Sequence, residues 1–282
     1  MSRNRERAGS QQPDTGVPPS VGAENSGFSF VVPTEFVELP SKGKFYPLGH
    51  PLHNQESVEI RQMTAKEEDM LTSRTLLKKG IAIDRVLESL IVDKRIDPDS
   101  LLIGDRNAMI IATRVSGYGN EYNTTVACPA CSAQQKYSFD LNDANIFYGE
   151  PTVERGIIDN GNGTFNTTLP RTQVSVTFRL LTGRDEKNLL SGVESDKKQK
   201  VTEKSVTRQI LSIVTAVNGD SSSQAINYLV QNIPSIDSRH LRMMYKVVAP
   251  NVDLTQSFQC EECTHEQDME VPLSADFFWP DR

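Results

Sequence analysis

The four cysteines of this chain fall in two doublets of identical spacing, Cys128-Pro-Ala-Cys131 and Cys260-Glu-Glu-Cys263, with residues 132–259 between them. A CxxC turn can hold two thiolates about 2.3 Å from one ion, which is half of a tetrahedral zinc site. Each doublet sits between alternating segments. Tyr122, Thr124 and Val126 precede the first, and Tyr137, Phe139 and Leu141 follow it. Phe258 precedes the second, and Met269, Val271 and Leu273 follow it. The pattern predicts two hairpins with CxxC at or near their tips, which face to face would make a zinc ribbon. A thioredoxin-like redox reading needs a strand-to-helix context. Ser132-Ala133-Gln134-Gln135 and Thr264-His265-Glu266-Gln267 read instead as a turn followed by a strand. An alternative gives each doublet its own site, the second completed by His265. A shared ion requires the fold to bring the chain back to the same place.

A tandem repeat supplies a reason for that return. Val58-Glu59-Ile60-Arg61-Gln62-Met63-Thr64-Ala65-Lys66-Glu67-Glu68 lines up with Val176-Thr177-Phe178-Arg179-Leu180-Leu181-Thr182-Gly183-Arg184-Asp185-Glu186. In each copy a strand ends at a threonine with an acid three residues on, the signature of a helix start. Leu39-Pro40 corresponds to Leu169-Pro170. Arg85 through Ile91 matches Arg208 through Val214 with helical apolar spacing. Asp105-Arg106 opens a third helix ended by Gly117, and its partner runs from Ser238-Arg239 to Pro250. The expected fold is therefore α+β, a tandem pseudo-symmetric repeat. Each copy has a strand, about three helices and a CxxC zinc-knuckle hairpin.

The domain boundaries follow. Residues 1–32 are rich in Ser, Pro, Gly, Gln, Asn and Arg and read as a disordered tail. Residues 33–150 form repeat 1 with the first knuckle. Residues 151–282 hold an inter-repeat hairpin, signalled by Asn160-Gly161-Asn162-Gly163, and repeat 2 with the second knuckle. Lys197-Lys198-Gln199-Lys200 reads as an exposed loop or helix start.

Composition excludes several function classes. Gly, Pro and Cys counts of 17, 15 and 4 do not suit collagen or a disulfide-dense scaffold. No apolar run approaches the roughly 18 residues of a membrane span, and no secretory signal opens the chain. The expected location is accordingly the cytoplasm. A net charge of −7 is poor for gripping phosphate backbones. No nucleophile elbow, dinucleotide-binding glycine pattern or full Walker loop occurs, and no carboxylate pair stands out, so no enzyme is expected. Neither a small-molecule substrate nor nucleic acid is expected as a partner.

Three stretches carry a family resemblance. They are Leu39-Pro40-Ser41-Lys42-Gly43 with Tyr46-Pro47; Leu101 through Met109 with Arg114, Ser116-Gly117-Tyr118-Gly119 and Cys128-Pro129-Ala130-Cys131; and Cys260 to Cys263 followed by Phe277-Phe278-Trp279-Pro280. Together they resemble the baseplate hub and hub-assembly proteins of T4-like contractile-tailed phages, over roughly residues 35–282. The resemblance implies a non-enzymatic hub subunit or assembly factor, made in the host cytoplasm and carried in the virion tail if it remains there. Its partners would be other baseplate proteins, and Cys128, Cys131, Cys260 and Cys263 would hold a structural Zn2+. An exposed Phe277-Phe278-Trp279 would suit a docking anchor, since aromatic residues are favoured at interface cores. The alternative is a zinc-ribbon nucleic-acid-binding or transcription-accessory protein. Glu261, Glu262, Glu266, Asp268 and Glu270 around the second knuckle argue against it.

Overall fold

Alternation of short strands with amphipathic helices gives an α+β architecture of small antiparallel sheets and α-helices. The computed structural model describes residues 31–151, 153–271 and 275–278, so nearly all of the expected tail lies outside the described residues. Strand β1 (Thr34–Glu38) pairs antiparallel with β2 (Ser57–Arg61), Thr34 opposite Arg61 and Glu38 opposite Ser57. Strand β2 alternates, burying Val58 and Ile60. It leads to Thr64, which with Glu67 forms the capping box of α1 (Ala65–Thr72). Helix α2 (Arg74–Lys78) follows, then α3 (Ala82–Leu90), which buries Ala82, Val86, Leu87 and Leu90 on one face. Helix α4 (Ile103–Tyr118) crosses the core and delivers the chain to the hairpin β3 (Glu121–Ala127) and β4 (Gln134–Asp140), followed by β5 (Asn145–Phe147).

The second half opens on the expected Asn-Gly hairpin, β6 (Ile157–Asp159) with β7 (Thr164–Thr168). Strand β7 then pairs with β8 (Ser175–Arg179). Gly161 and Gly163 take φ values of 70° and 79°, which a side chain would strain. Thr182 and Asp185 build a capping box for α5 (Gly183–Gln199). Helix α6 (Ser205–Ile213) runs into β9 (Val214–Val217), which joins β8. Helices α7 (Ser223–Asn232) and α8 (Ser235–Val248), then β10 (Asn251–Asp253), lead to β11 (Thr255–Gln259) and β12 (Glu266–Glu270). Strand β10 pairs with β5, tying the two halves together.

Each half therefore holds more elements than the expected strand, three helices and hairpin. Strand β1 was hidden because Val37 is its one buried residue, between exposed Phe36 and Glu38. Helix α2 buries no residue and leaves no apolar stripe to read. The Lys197–Lys200 segment closes α5 instead of lying in a loop or starting a helix. Lys200 is the left-handed cap, and the lysines sit where the helix's negative end favours them.

Two buried aspartates fix the chain ahead of the long helices. Asp105, on the first turn of α4, accepts from the Ser41 N–H at 2.9 Å, the Ser41 hydroxyl at 2.6 Å and the Tyr46 hydroxyl at 2.7 Å. Asp237, on the first turn of α8, accepts from the N–H groups of Arg171 at 2.7 Å and Thr172 at 3.0 Å, and from the Thr172 hydroxyl. Each carboxylate pins the turn that follows a Leu-Pro pair. Burial dominates at Asp105 and raises its pKa above the usual 3.8. At Asp237 burial also pushes upward, but the two amides and the hydroxyl outweigh it and hold the group below 3.8. The consequences for stability have opposite sign. Asp237 contributes stability above the unfolded value that is lost as pH falls through its depressed folded value. Asp105 favours folding in its protonated form, so that contribution is present at low pH and fades as pH rises through its raised value. Carboxyl-carbon NMR should show the two groups titrating on opposite sides of 3.8; equal midpoints would contradict this.

Gly104, beside Asp105, is a point of close backbone approach between the halves. A methyl group there would stand 2.0 Å from the Pro250 carbonyl oxygen, at the entry to β10. Backbone atoms cannot turn aside, so Gly104→Ala should cost about 2–3 kcal/mol in denaturant unfolding. A loss within a few tenths would mean that α4 and β10 do not abut so tightly.

Candidate metal centre

Strands β3 and β4 pair with Ala127 opposite Gln134, and β11 and β12 with Gln259 opposite Glu266. Both hairpins are thus cut to the same register, and each places its CxxC at the tip. The tips are built alike. The Cys128 N–H donates to the Ala133 carbonyl at 2.8 Å, and the Ser132 N–H returns to Cys128 at 2.8 Å. In the other knuckle, the Cys260 N–H donates to His265 at 2.9 Å, and the Thr264 N–H returns to Cys260 at 3.0 Å. Ser132 and Thr264 both take the left-handed conformation, with φ of 61° and 55°. The turn curls so that backbone N–H groups point at sulfur, an arrangement that stabilises thiolates.

The hairpins meet face to face through a shared core. Tyr122, Phe139 and Phe258 are fully buried, and the Tyr137 ring lies 5.2 Å from that of Phe258. Polar contacts fix the docking. Gln135 donates from Nε2 to the Gln259 carbonyl at 3.1 Å and accepts from the Glu261 N–H at 3.0 Å. The Tyr137 hydroxyl donates to the Ser257 carbonyl at 2.8 Å.

All four cysteine sulfurs converge, lying within 4.8 Å of one another. Two close pairs run between doublets: Cys128 Sγ to Cys263 Sγ and Cys131 Sγ to Cys260 Sγ, each 3.7 Å. Sulfurs at the corners of a tetrahedron with bonds of about 2.3 Å stand roughly 3.8 Å apart. The cavity thus has the size and donor set of a four-thiolate metal site. Cys128 and Cys260 are buried, while Cys131 and Cys263 face solvent. The Cys131 and Ala130 amides, with neighbouring thiols, pull the Cys128 thiol down to about 6. Cys263 receives the His265 N–H, but the crowd of sulfurs around it outweighs that and pushes it up to about 12. Four thiols this close do not ionise together in water's favour; a cation among them removes the conflict. The His265 ring stands 3.2 Å from Gln267 Oε1, and the cluster comprises the four cysteines without it.

The aromatic cluster near the C-terminus lies elsewhere. Phe277 and Phe278 are 3% and 4% exposed, so neither presents the surface that a docking anchor needs. The Phe277 ring packs edge-on against Tyr122 at 5.2 Å, which buries it under the first hairpin. Trp279 lies outside the described residues. Sequence reasoning missed the group that holds this segment. Arg114 is fully buried and donates to the carbonyls of Phe277, Gly119 and Glu121 at 2.7, 2.6 and 3.0 Å. The available signal was its place four residues after Ile110, on the buried stripe of α4.

No described helix is long and apolar enough to cross a membrane. No curated protein and no solved structure gives a significant match to the chain. Residues 32–279 match the family described as T4 bacteriophage base plate protein, a span that includes both doublets. The chain belongs to that family.

Proposed function

We propose that this member of the T4 base plate family is a non-enzymatic baseplate hub subunit or hub-assembly factor, its two repeated halves clamped by one structural Zn2+. The observation that carries the structural reading is the convergence of all four sulfurs from doublets so far apart in sequence. Four thiolates fill a tetrahedral ion completely, leaving no open position for a substrate or an activated water. The metal is then a staple, and structural zinc stabilises small folded peptides by about 10–16 kcal/mol. The thiolate donor set favours zinc over the hard cations, which prefer oxygen.

Several correspondences support a duplication into 33–150 and 151–282. Thr34–Glu38 pairs with Ser57–Arg61 in the same register as Thr164–Thr168 with Ser175–Arg179. Arg61 approaches Glu67 at 3.6 Å, and Arg179 approaches Asp185 at 2.7 Å, each beside its capping box. Ile60 bridges Ile91 just beyond α3, as Phe178 pairs with Val214 just beyond α6. The aspartates set the long helices with Asp105 opposite Asp237. That register is one residue away from the match of Arg106 with Arg239 suggested by sequence. The sequence match was drawn to the arginines, whereas the buried carboxylates carry the shared role.

Family membership supports a role in the baseplate. Baseplate proteins work by binding other proteins, so the partners are other hub components and the working place is the virion tail or its assembly intermediate in the host. Phage lacking the chain should accumulate incomplete baseplates, and mass spectrometry should find the chain in purified virions or in hub intermediates. Normal baseplates without it would refute the proposal. Salt-sensitive retention on single-stranded DNA would instead favour the nucleic-acid reading, against which the acidic second knuckle stands.

A further inference from the structure

We infer that the free edge of β1 is a docking site for an extended basic segment of a partner protein, which adds a strand to the β1–β2 sheet. The hydrogen-bond register decides which groups are available. The Leu39 N–H donates to Glu56, and the Gln62 N–H donates to Pro33, so odd-numbered residues of this strand face β2. The N–H and C=O groups of Thr34, Phe36 and Glu38 therefore point away from β2. Among the described residues, β2 is the only strand that β1 pairs with.

The corresponding strand of the second half is handled differently. Strand β7 makes the same register with β8, and its outer edge is covered by β6, with Ile158 opposite Asn166. This fold thus accepts a third strand on that edge without distortion. An open edge is normally blunted, because unpaired backbone groups recruit other chains. Phe36 stands 72% exposed on that edge, where an added strand would cover it.

Charge selects the occupant. Glu35 lies on the inward face of β1, and its Oε1 is buried without a hydrogen-bond partner among the described residues. Such an atom is destabilising until a donor reaches it. Glu38, Glu56 and Glu59 surround the same sheet, and no ion pair to any of them is formed among the described residues. A second copy paired edge to edge would set Val37 against Glu35 and add more carboxylates, leaving the orphaned oxygen as it was. A strand bearing lysine or arginine supplies the missing donor, and backbone bonds supply the affinity.

The probe is an acetylated Thr-Lys-Val-Lys-Val-Lys-Val-Thr peptide titrated into the full chain, followed by amide NMR. The peptide should move the resonances of Thr34, Phe36 and Glu38 saturably. Glutamate in place of its lysines, or N-methylation of alternate amides, should weaken binding at least tenfold. Phe36→Pro should do the same while leaving β2 amides in place, since the Phe36 N–H is not used in the β1–β2 ladder. Unmoved β1 resonances, or equal binding by the N-methylated peptide, would overturn the inference. So would slow hydrogen exchange at those three amides in the chain alone. Protection independent of concentration would mean that the chain covers its own edge, and concentration-dependent protection would mean a second copy.

Discussion

If the proposed zinc clamps both doublets, Cys128→Ser should release it and lower unfolding stability by several kcal/mol, with Cys260→Ser doing the same to a similar extent. A serine oxygen is a poor replacement for a thiolate, and three remaining sulfurs hold an ion much less tightly. The more telling result is the double variant. If both doublets ligate one ion, the first substitution already removes the clamp, and the second adds little. Separate sites would give losses that add. The geometry favours the first outcome, because the 3.7 Å sulfur pairs join Cys128 to Cys263 and Cys131 to Cys260, across the halves. Chelation should reproduce the single-variant loss in the native chain. Acid should also release the ion, because each thiolate must stay deprotonated to bind. Calorimetry in the presence and absence of zinc measures all of these.

Arg114→Met should cost about 3–5 kcal/mol, although the residue touches neither the cysteines nor the surface. Its guanidinium is buried against three carbonyl oxygens, and burial depresses its pKa from the usual value. Bonds from a charged donor contribute about 1.5–3 kcal/mol each, and methionine would remove all three, leaving the buried Phe277 carbonyl without its donor. Arg114→Lys should fall between the two, since one ammonium cannot match a planar fork aimed at three acceptors. The loss should be accompanied by freer Phe277, whose carbonyl the guanidinium holds, and fluorine labelling of the phenylalanines reads that directly. A shift in denaturant midpoint worth less than 1 kcal/mol would refute the role.

Much of the centre was legible because metal ligation imposes spacing that the chain cannot hide. Two CxxC doublets between alternating residues announce paired knuckles, and Thr64 with Glu67 and Thr182 with Asp185 announce helix starts. What stayed hidden is set by burial of polar groups, which composition does not reveal. Asp105 and Asp237 look like ordinary acids on a first helical turn, yet both are fully buried and clamp distant turns. Arg114 looks like a solvent-facing charge until α4 is seen to be enclosed on that side. Phe277 and Phe278 look like a docking anchor because a run of aromatics at a chain end is equally suited to either use. Only the position of Tyr122 decides that they close the core. Gly104 reads as a helix-weakening residue, and its reason is the Pro250 carbonyl, from a segment distant in sequence.

Cadmium-113 substitution followed by proton-correlated NMR tests the shared ion most directly. One cadmium resonance, coupled to the β-protons of Cys128, Cys131, Cys260 and Cys263 alike, is the predicted result. Two resonances, each coupled to a single doublet, would contradict it.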